Sequence, residues 1–110
     1  NEMLKALDLY SDIYGQWRTY FELWRFNFLD NNLDEAKRYS KKLINLQPEY
    51  PQTYIASLAL EENKKKGIPL KRKLMELQPN FTPAMIKNFH TWIRDDQAAK
   101  IIDVLKFHLG

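Results

Sequence analysis

The sequence predicts an all-α fold, with a single domain over residues 1–110 built as an array of about three antiparallel helical hairpins. The first observation is an internal repeat, in which residues 42–50 (KLINLQPEY) recur as residues 73–81 (KLMELQPNF), 31 positions later. A weaker third copy lies at residues 6–11, with Ser11 in place of the proline. Repeats of roughly 20–50 residues are typical of arrays whose units bury their apolar faces against each other. The composition, 45% hydrophobic and 14% aromatic, is that of a folded domain.

Each copy of the repeat predicts the end of a helix. Its apolar residues are spaced to face one side of a helix, and the proline just beyond them, Pro48 or Pro79, cannot continue that helix. The aromatic residue two positions later, Tyr50 or Phe81, is predicted to fold back into the groove between repeats.

The first predicted hairpin begins with a helix that is apolar on nearly every side, as expected for a helix packed between others. Its apolar residues are Trp17, Tyr20, Phe21, Leu23, Trp24, Phe26, Phe28 and Leu29. The helix should end at residues 30–32 (DNN), because Asn tolerates the left-handed backbone of a tight turn. Asp34 and Glu35 suit the positive end of the next helix, where Ala36 provides a small contact.

The second predicted hairpin runs from about residue 52 to 63, turns through the lysines and residues 67–69 (GIP), and returns over about 70–78. The third begins after Phe81, where Thr82 can cap a helix and Pro83 can occupy its first position, and it runs to about residue 93.

The closing helix is predicted to start at Asp95 and Asp96. Its apolar stripe consists of Ala98, Ile101, Ile102, Leu105 and Leu109.

Charge and cysteine content limit the function classes. The 17 Lys and Arg residues exceed the 14 Asp and Glu residues by three, and much of the excess lies at residues 64–66 and 71–73. An excess of this size is ordinary and only weakly favours an anionic partner. Because the sequence has no cysteine, it excludes disulfides, thiolate nucleophiles and sulfur-ligated zinc.

The apolar stretches predict no membrane span, because none reaches the roughly 20 residues of a membrane-spanning helix. We expect a cytoplasmic protein, with a periplasmic location also open, since a sequence without cysteine is compatible with both compartments. The chain starts at Asn1, with neither an initiator Met nor a basic and apolar leader, so we expect a piece of a longer protein.

Residue types that carry catalysis or bind metals lack partners in the sequence. His90 and His108 have no metal-ligand spacing around them. The adjacent pairs Asp34-Glu35 and Asp95-Asp96 point in different directions on a helix, and the electrostatics of a helix start explain them better. No phosphate-binding glycine loop, nucleophile elbow or metal-binding helix motif occurs. We predict a protein that is not an enzyme and uses no cofactor or metal.

The hairpin pattern resembles the tetratricopeptide repeat, and the matching residues are Tyr20, Leu23, Ala36, Ile44, Leu46 and Pro48. Three features depart from the family: Asn31 where Gly is usual, Trp24 where a small residue is usual, and a second repeat shortened at residues 65–69. The resemblance covers nearly the whole chain. It implies a right-handed solenoid that binds proteins.

The segment from residue 80 to 106 is also similar to the closing part of tetratricopeptide regions in bacterial regulators. In those proteins the region follows a winged-helix DNA-binding domain or a nucleotide-cyclase domain. The resemblance implies a C-terminal sensory or interaction part of a bacterial transcriptional regulator, which binds a partner segment or its own effector domain.

In this family the first helix of each hairpin lines a concave face. Its pattern places six candidate partner-binding residues there: Arg18, Phe21, Arg25, Phe28, Lys87 and Arg94. Aromatic anchors with cations suit a peptide that carries acidic groups, since Arg can bind a carboxylate through two hydrogen bonds. The alternative is that Phe21 and Phe28 belong to the core and that the cations are only solvated.

Two other functions stay open. A nucleic-acid-binding repeat would use the lysine clusters to contact phosphates, although no interleaved aromatic residues offer base stacking. A structural dimerisation domain is suggested by Trp17, Tyr20, Trp24 and Trp92, some of which would form an exposed patch.

Overall fold

The computed structural model describes residues 13–86 and 95–109. Within these ranges the chain forms five α-helices, a short 3₁₀ helix and no strand, which confirms the all-α prediction. The helices are α1 (Ile13–Leu29), α2 (Leu33–Leu46), α3 (Pro51–Leu58), α4 (Lys64–Leu77) and α5 (Asp95–Leu109), and the 3₁₀ helix spans Pro83–Met85. None of the described helices is long and apolar enough to cross a membrane.

The sequence repeat is also a repeat of the backbone. Helices α2 and α4 each contain 14 residues, and α4 starts and ends 31 positions after α2. The residues that follow them have nearly the same conformation, with φ −139° and ψ 75° at Gln47 and φ −143° and ψ 80° at Gln78. The Tyr50 and Phe81 amides donate to the Gln47 and Gln78 carbonyls at 3.2 and 3.0 Å. The predicted ends of these two helices are therefore confirmed, whereas the third copy, at residues 6–11, lies outside the described residues.

The aromatic residues after the two prolines fold back as predicted. The ring of Tyr50 lies edge-on to Trp17 of α1, with ring centroids 5.4 Å apart. Phe81 is buried in the core. Both aromatic side chains therefore pack into the fold, and their location in a groove between repeats stays a prediction.

The turn between α1 and α2 has the left-handed residue that the sequence predicts. Asn31 has a φ of 58°, and the amide of Asn32 donates to the carbonyl of Asn27 at 2.9 Å. Only three residues connect α1 to α2, so the chain reverses and the two helices pack together. Ala36, which is fully buried, allows their close approach.

The second hairpin differs from the prediction, because residues 67–69 form part of α4 and not a turn. Helix α3 ends at Leu58, and α4 begins at Lys64. The side chain of Asn63 caps α4, since its Oδ1 accepts hydrogen bonds from the amides of Lys65 (2.9 Å) and Lys66 (3.1 Å). Pro69 lies inside the helix, although a proline there removes one backbone hydrogen bond.

Gly67 has a structural role inside α4 that the repeat explains. It lies 31 positions after Ala36, just as Asn63 lies 31 positions after Asn32, so it occupies the small-residue position of the repeat. It is buried against the imidazole of His108, and a Cβ at this position would lie 2.5 Å from Nδ1. Gly67 is therefore a close-packing residue between α4 and α5.

Loss of the Asn63 cap is expected to destabilise the protein. Asn63→Ala removes both capping hydrogen bonds and should lower the free energy of unfolding by about 1 kcal/mol in urea denaturation. Asn32 is the matched control, because its side chain makes no capping bond. The Asn32 side-chain amide instead donates to Asn27 Oδ1 at 3.2 Å. Asn32→Ala should cost clearly less, and equal losses would contradict the role assigned to Asn63.

The core is one cluster to which all five α-helices contribute buried residues, and within it α5 packs against α3, α4 and the 3₁₀ helix. Four residues of the predicted α5 stripe are buried: Ala98, Ile101, Ile102 and Leu105. Pro83 occupies the start of the 3₁₀ helix as predicted, but the Thr82 side chain makes no capping bond. Of the third predicted hairpin, residues 87–94 lie outside the described residues.

Candidate functional site

The structure places the two predicted aromatic anchors in the core. Phe21 is 6% exposed and Phe28 is 2% exposed, as the alternative interpretation of these residues expects. Trp17 and Trp24 are buried as well, so neither contributes to an exposed dimerisation patch. Partner binding through Phe21 and Phe28 stays a prediction, and any such contact would have to reach them through their small exposed fraction.

The predicted cations differ in their surroundings. Arg18 is exposed on α1. Arg25 is held along the same helix, because its Nη2 lies 2.8 Å from Glu22 Oε2 and its guanidinium lies 4.9 Å from the centroid of the Phe26 ring. Lys87 and Arg94 lie outside the described residues. Of the four predicted site residues that are described, only Phe28 lines the groove described next.

A groove of about 450 Å³ lies where the α1–α2 turn, the end of α3 and the side of α5 meet. We call it the Phe28 groove. Its apolar lining consists of Phe28, Leu33, Ala59, Leu60, Val104 and Phe107. Its polar lining consists of Asn31, Glu61, Glu62, Lys100 and Asp103. Phe107 is 48% exposed, so an apolar surface at one side of the groove faces solvent.

Lys100 is the cation of the groove, and it is already bound by the protein. Its Nζ donates to Asn31 Oδ1 at 3.0 Å and to the Phe28 carbonyl at 3.4 Å. The same ammonium lies 4.7 Å from the centroid of the Phe28 ring, within the range of a cation–π contact. Lys100 therefore ties α5 to the end of α1.

The remaining charges around the Phe28 groove are acidic. Glu61, Glu62 and Asp103 line it, and Glu62 and Asp103 are exposed. Glu61 Oε1 accepts a hydrogen bond from the Asn63 amide at 3.1 Å. Three carboxylates beside an apolar floor favour a ligand that combines an apolar side chain with neighbouring cations.

The sequence interpretation did not identify the α5 side of this groove. Lys100, Asp103, Val104 and Phe107 follow the spacing of one helix face, and this face is separate from the buried stripe of α5. Two apolar residues on this second face, Val104 and Phe107, were the signal that could have indicated it. The Phe28 side could not be joined to them, because the two segments are more than 70 residues apart in the chain.

His108 has a structural partner that the sequence did not suggest. The ring is 3% exposed, and Nε2–H donates to the carbonyl of Glu61, with 2.6 Å between the two heavy atoms. The opposite side of the ring lies against Gly67. His108 therefore fixes the end of α5 to the segment between α3 and α4, which positions Phe107 beside the groove.

A basic surface lies on α4, next to this contact. Lys64, Lys65 and Lys71 line a second cleft of about 440 Å³ together with Gly67, Ile68 and His108. Lys64 Nζ lies 5.8 Å from the centroid of the Phe107 ring, so the basic surface and the Phe28 groove adjoin at Phe107. In the described part of the chain, no group of three or more His, Asp or Glu side chains is arranged to hold a metal ion.

Comparison with known proteins gives no relative of this chain. No protein-family model, no curated protein and no solved structure matches it.

Proposed function

We propose that the chain is a protein-interaction domain of the tetratricopeptide-like type, which binds a segment of a partner in the Phe28 groove. The observation that carries the proposal is the groove itself, with its apolar floor and its three carboxylates. The backbone repeat of α2 and α4 supports the hairpin array that the resemblance implies. In this proposal the domain belongs to a bacterial transcriptional regulator, and occupancy of the groove shifts the regulator between two states.

The chemistry of the groove defines the ligand. Apolar contacts with Leu60, Val104 and Phe107 favour a Leu-, Ile- or Phe-like side chain, and each buried Å² of apolar surface contributes about 25 cal/mol. Lys or Arg residues beside that side chain would face the carboxylates, which increases the association rate and orients the segment. This ligand has the opposite charge to the acidic peptide that Arg18 and Arg25 of α1 suggest.

Peptide binding tests the proposal. A labelled peptide with a central Leu flanked by Lys residues should bind in fluorescence anisotropy, and the same peptide with Glu in place of Lys should not. Val104→Asp places a charged group in the apolar lining against the Leu of the peptide, and the cost of desolvating that carboxylate exceeds its added attraction to the exposed Lys residues. Binding of the basic peptide should therefore weaken by about tenfold or more, which corresponds to about 1.4 kcal/mol. Ala99→Asp is the matched control, because Ala99 is exposed on α5 and does not line the groove.

Peptide binding also distinguishes the Phe28 groove from the concave face that the family resemblance implies. Arg18→Ala combined with Arg25→Ala tests the concave face without removing a core residue, unlike a change at the buried Phe21. If the peptide with Glu residues binds instead of the basic one, and the Arg18/Arg25 double variant loses that binding whereas Val104→Asp does not, the proposal for the Phe28 groove is wrong.

A further inference from the structure

The chain carries on its own surface a segment with the chemistry that the Phe28 groove favours. Ile68 of α4 is 46% exposed and is one of the four large apolar side chains that are exposed in the described part of the chain. It lies between Lys64 and Lys65, one turn earlier, and Lys71 and Arg72, one turn later. An exposed apolar side chain between pairs of cations matches the ligand class derived above.

The charges of the two surfaces are complementary. Helix α4 contains six Lys or Arg residues and a single carboxylate, Glu76. Lys73 has a long contact of 3.9 Å with Glu49, whereas Lys71 and Arg72 line an open depression with Ile68, Met75 and Glu76. Three carboxylates line the Phe28 groove. Contact between α4 and the groove would therefore bring opposite charges together around an apolar centre.

The two surfaces are also neighbours on one molecule. Phe107 lines the Phe28 groove, and its ring lies 5.8 Å from Lys64 Nζ, at the start of the basic face of α4. When two complementary surfaces adjoin, a two-fold axis near their boundary allows both contacts to form at once. Phe107, which is 48% exposed, lies at that boundary and would be covered in such a pair.

We infer that the occupant of the groove is a second copy of this chain, and that the chain forms a two-fold dimer in which Ile68 of each copy docks into the Phe28 groove of the other. This inference rests on the groove of the proposed function and adds the identity of the partner. The dimer uses Ile68 and Phe107 and not Trp17 and Trp24, which are buried, whereas Trp92 lies outside the described residues.

Sedimentation of the full chain over a concentration series tests the inference. A monomer–dimer equilibrium is expected, and Ile68→Asp or Val104→Asp should each weaken the dimer by about tenfold or more. Ala99→Asp should leave it unchanged, and circular dichroism of each variant checks that the helices are retained. Ile68→Asp and Val104→Asp carry their changes on different surfaces, so an equimolar mixture of them retains one of the two docking contacts. The mixture should associate more tightly than either variant alone and more weakly than the unchanged chain.

Charge reversal gives a second test. Lys71→Glu with Arg72→Glu should weaken the dimer, as should Glu62→Lys with Asp103→Lys. The chain with all four changes should recover the dimer.

A dimer that resists Ile68→Asp and Val104→Asp, or masses that grow beyond the dimer, would overturn the inference. A monomer that still binds the basic peptide through the groove overturns the dimer and leaves the proposed function standing. A monomer that binds no peptide overturns both.

Discussion

Replacing Thr53 with Val is expected to lower the free energy of unfolding by about 2 kcal/mol, although the two side chains have nearly the same shape. Thr53 is fully buried on α3, and its hydroxyl serves two partners. It accepts a hydrogen bond from Trp17 Nε1 of α1 at 3.0 Å and donates one to the Gln47 carbonyl at 3.1 Å. Val can do neither, so the buried indole N–H loses its acceptor at a cost of about 1–3 kcal/mol, whereas the Gln47 carbonyl keeps its hydrogen bond from the Tyr50 amide.

Two control variants separate the hydroxyl from the shape of the side chain. Thr53→Ser keeps the hydroxyl and loses one methyl group, so it should cost about 1 kcal/mol in urea denaturation. Thr19→Val makes the same substitution at another buried threonine, whose hydroxyl donates to the Gly15 carbonyl four residues earlier in α1. Because that carbonyl also lies in reach of the helix backbone, Thr19→Val should cost much less. If Thr53→Val is as stable as Thr53→Ser, the bridging role of the hydroxyl is wrong.

The Thr53 bridge also shows how far the repeat predicts the structure. The repeat predicts where α2 and α4 end, and their turns have the same backbone. It does not predict what fastens each turn. In the first turn Thr53 bonds to Gln47, and Tyr54 donates its hydroxyl to the Pro48 carbonyl at 2.7 Å. Burial raises the pKa of Tyr54, which favours the protonated donor. Ala84 and Met85 stand at the corresponding positions of the second turn, so neither bond recurs there.

The start of α4 was predicted wrongly because Gly and Pro were interpreted from local preferences alone. Residues 67–69 look like a turn, yet Gly67 is the counterpart of Ala36 in the repeat, and Asn63 is the counterpart of Asn32. The packing of Gly67 against α5 and the Asn63 cap outweigh the local preference.

The candidate groove was beyond prediction for a different reason. Its apolar lining includes Phe28, Leu60 and Phe107, which come from three segments that are distant in the chain. Helical periodicity assigns each residue to a face of its own helix, but it does not state which faces meet. The aromatic residues of α1 therefore suggested an exposed patch, whereas the exposed large apolar side chains among the described residues are Tyr14, Phe26, Ile68 and Phe107.

Gly67→Val is expected to destabilise the fold by about 3 kcal/mol, at the upper end of the usual cost of overpacking. The new Cβ would lie 2.5 Å from His108 Nδ1 and 2.6 Å from Cε1. The imidazole has little room to yield, because it is 3% exposed, bonded to the Glu61 carbonyl and packed edge-on against Phe107 with 5.0 Å between ring centroids. Helix α5 must shift instead. Denaturation at low protein concentration measures the loss without a contribution from self-association.

Removal of the His108 imidazole should abolish or reverse the destabilisation that Gly67→Val causes. In a His108→Ala background the valine side chain introduced by Gly67→Val would enter the space that the imidazole leaves. Because Val is a better helix former than Gly, Gly67→Val should be neutral or stabilising in that background. The double-mutant cycle should give a coupling of about 3 kcal/mol, whereas Ala36→Gly in α2 should show none with His108→Ala. If the changes in the free energy of unfolding at residues 67 and 108 are additive, the contact between these residues does not hold α5.

The same contact positions Phe107 and Val104 beside the groove, so Gly67→Val should also weaken binding of the basic peptide. The double variant with His108→Ala should regain part of that binding, measured by fluorescence anisotropy. Stability and binding would then depend on one point of packing between α4 and α5.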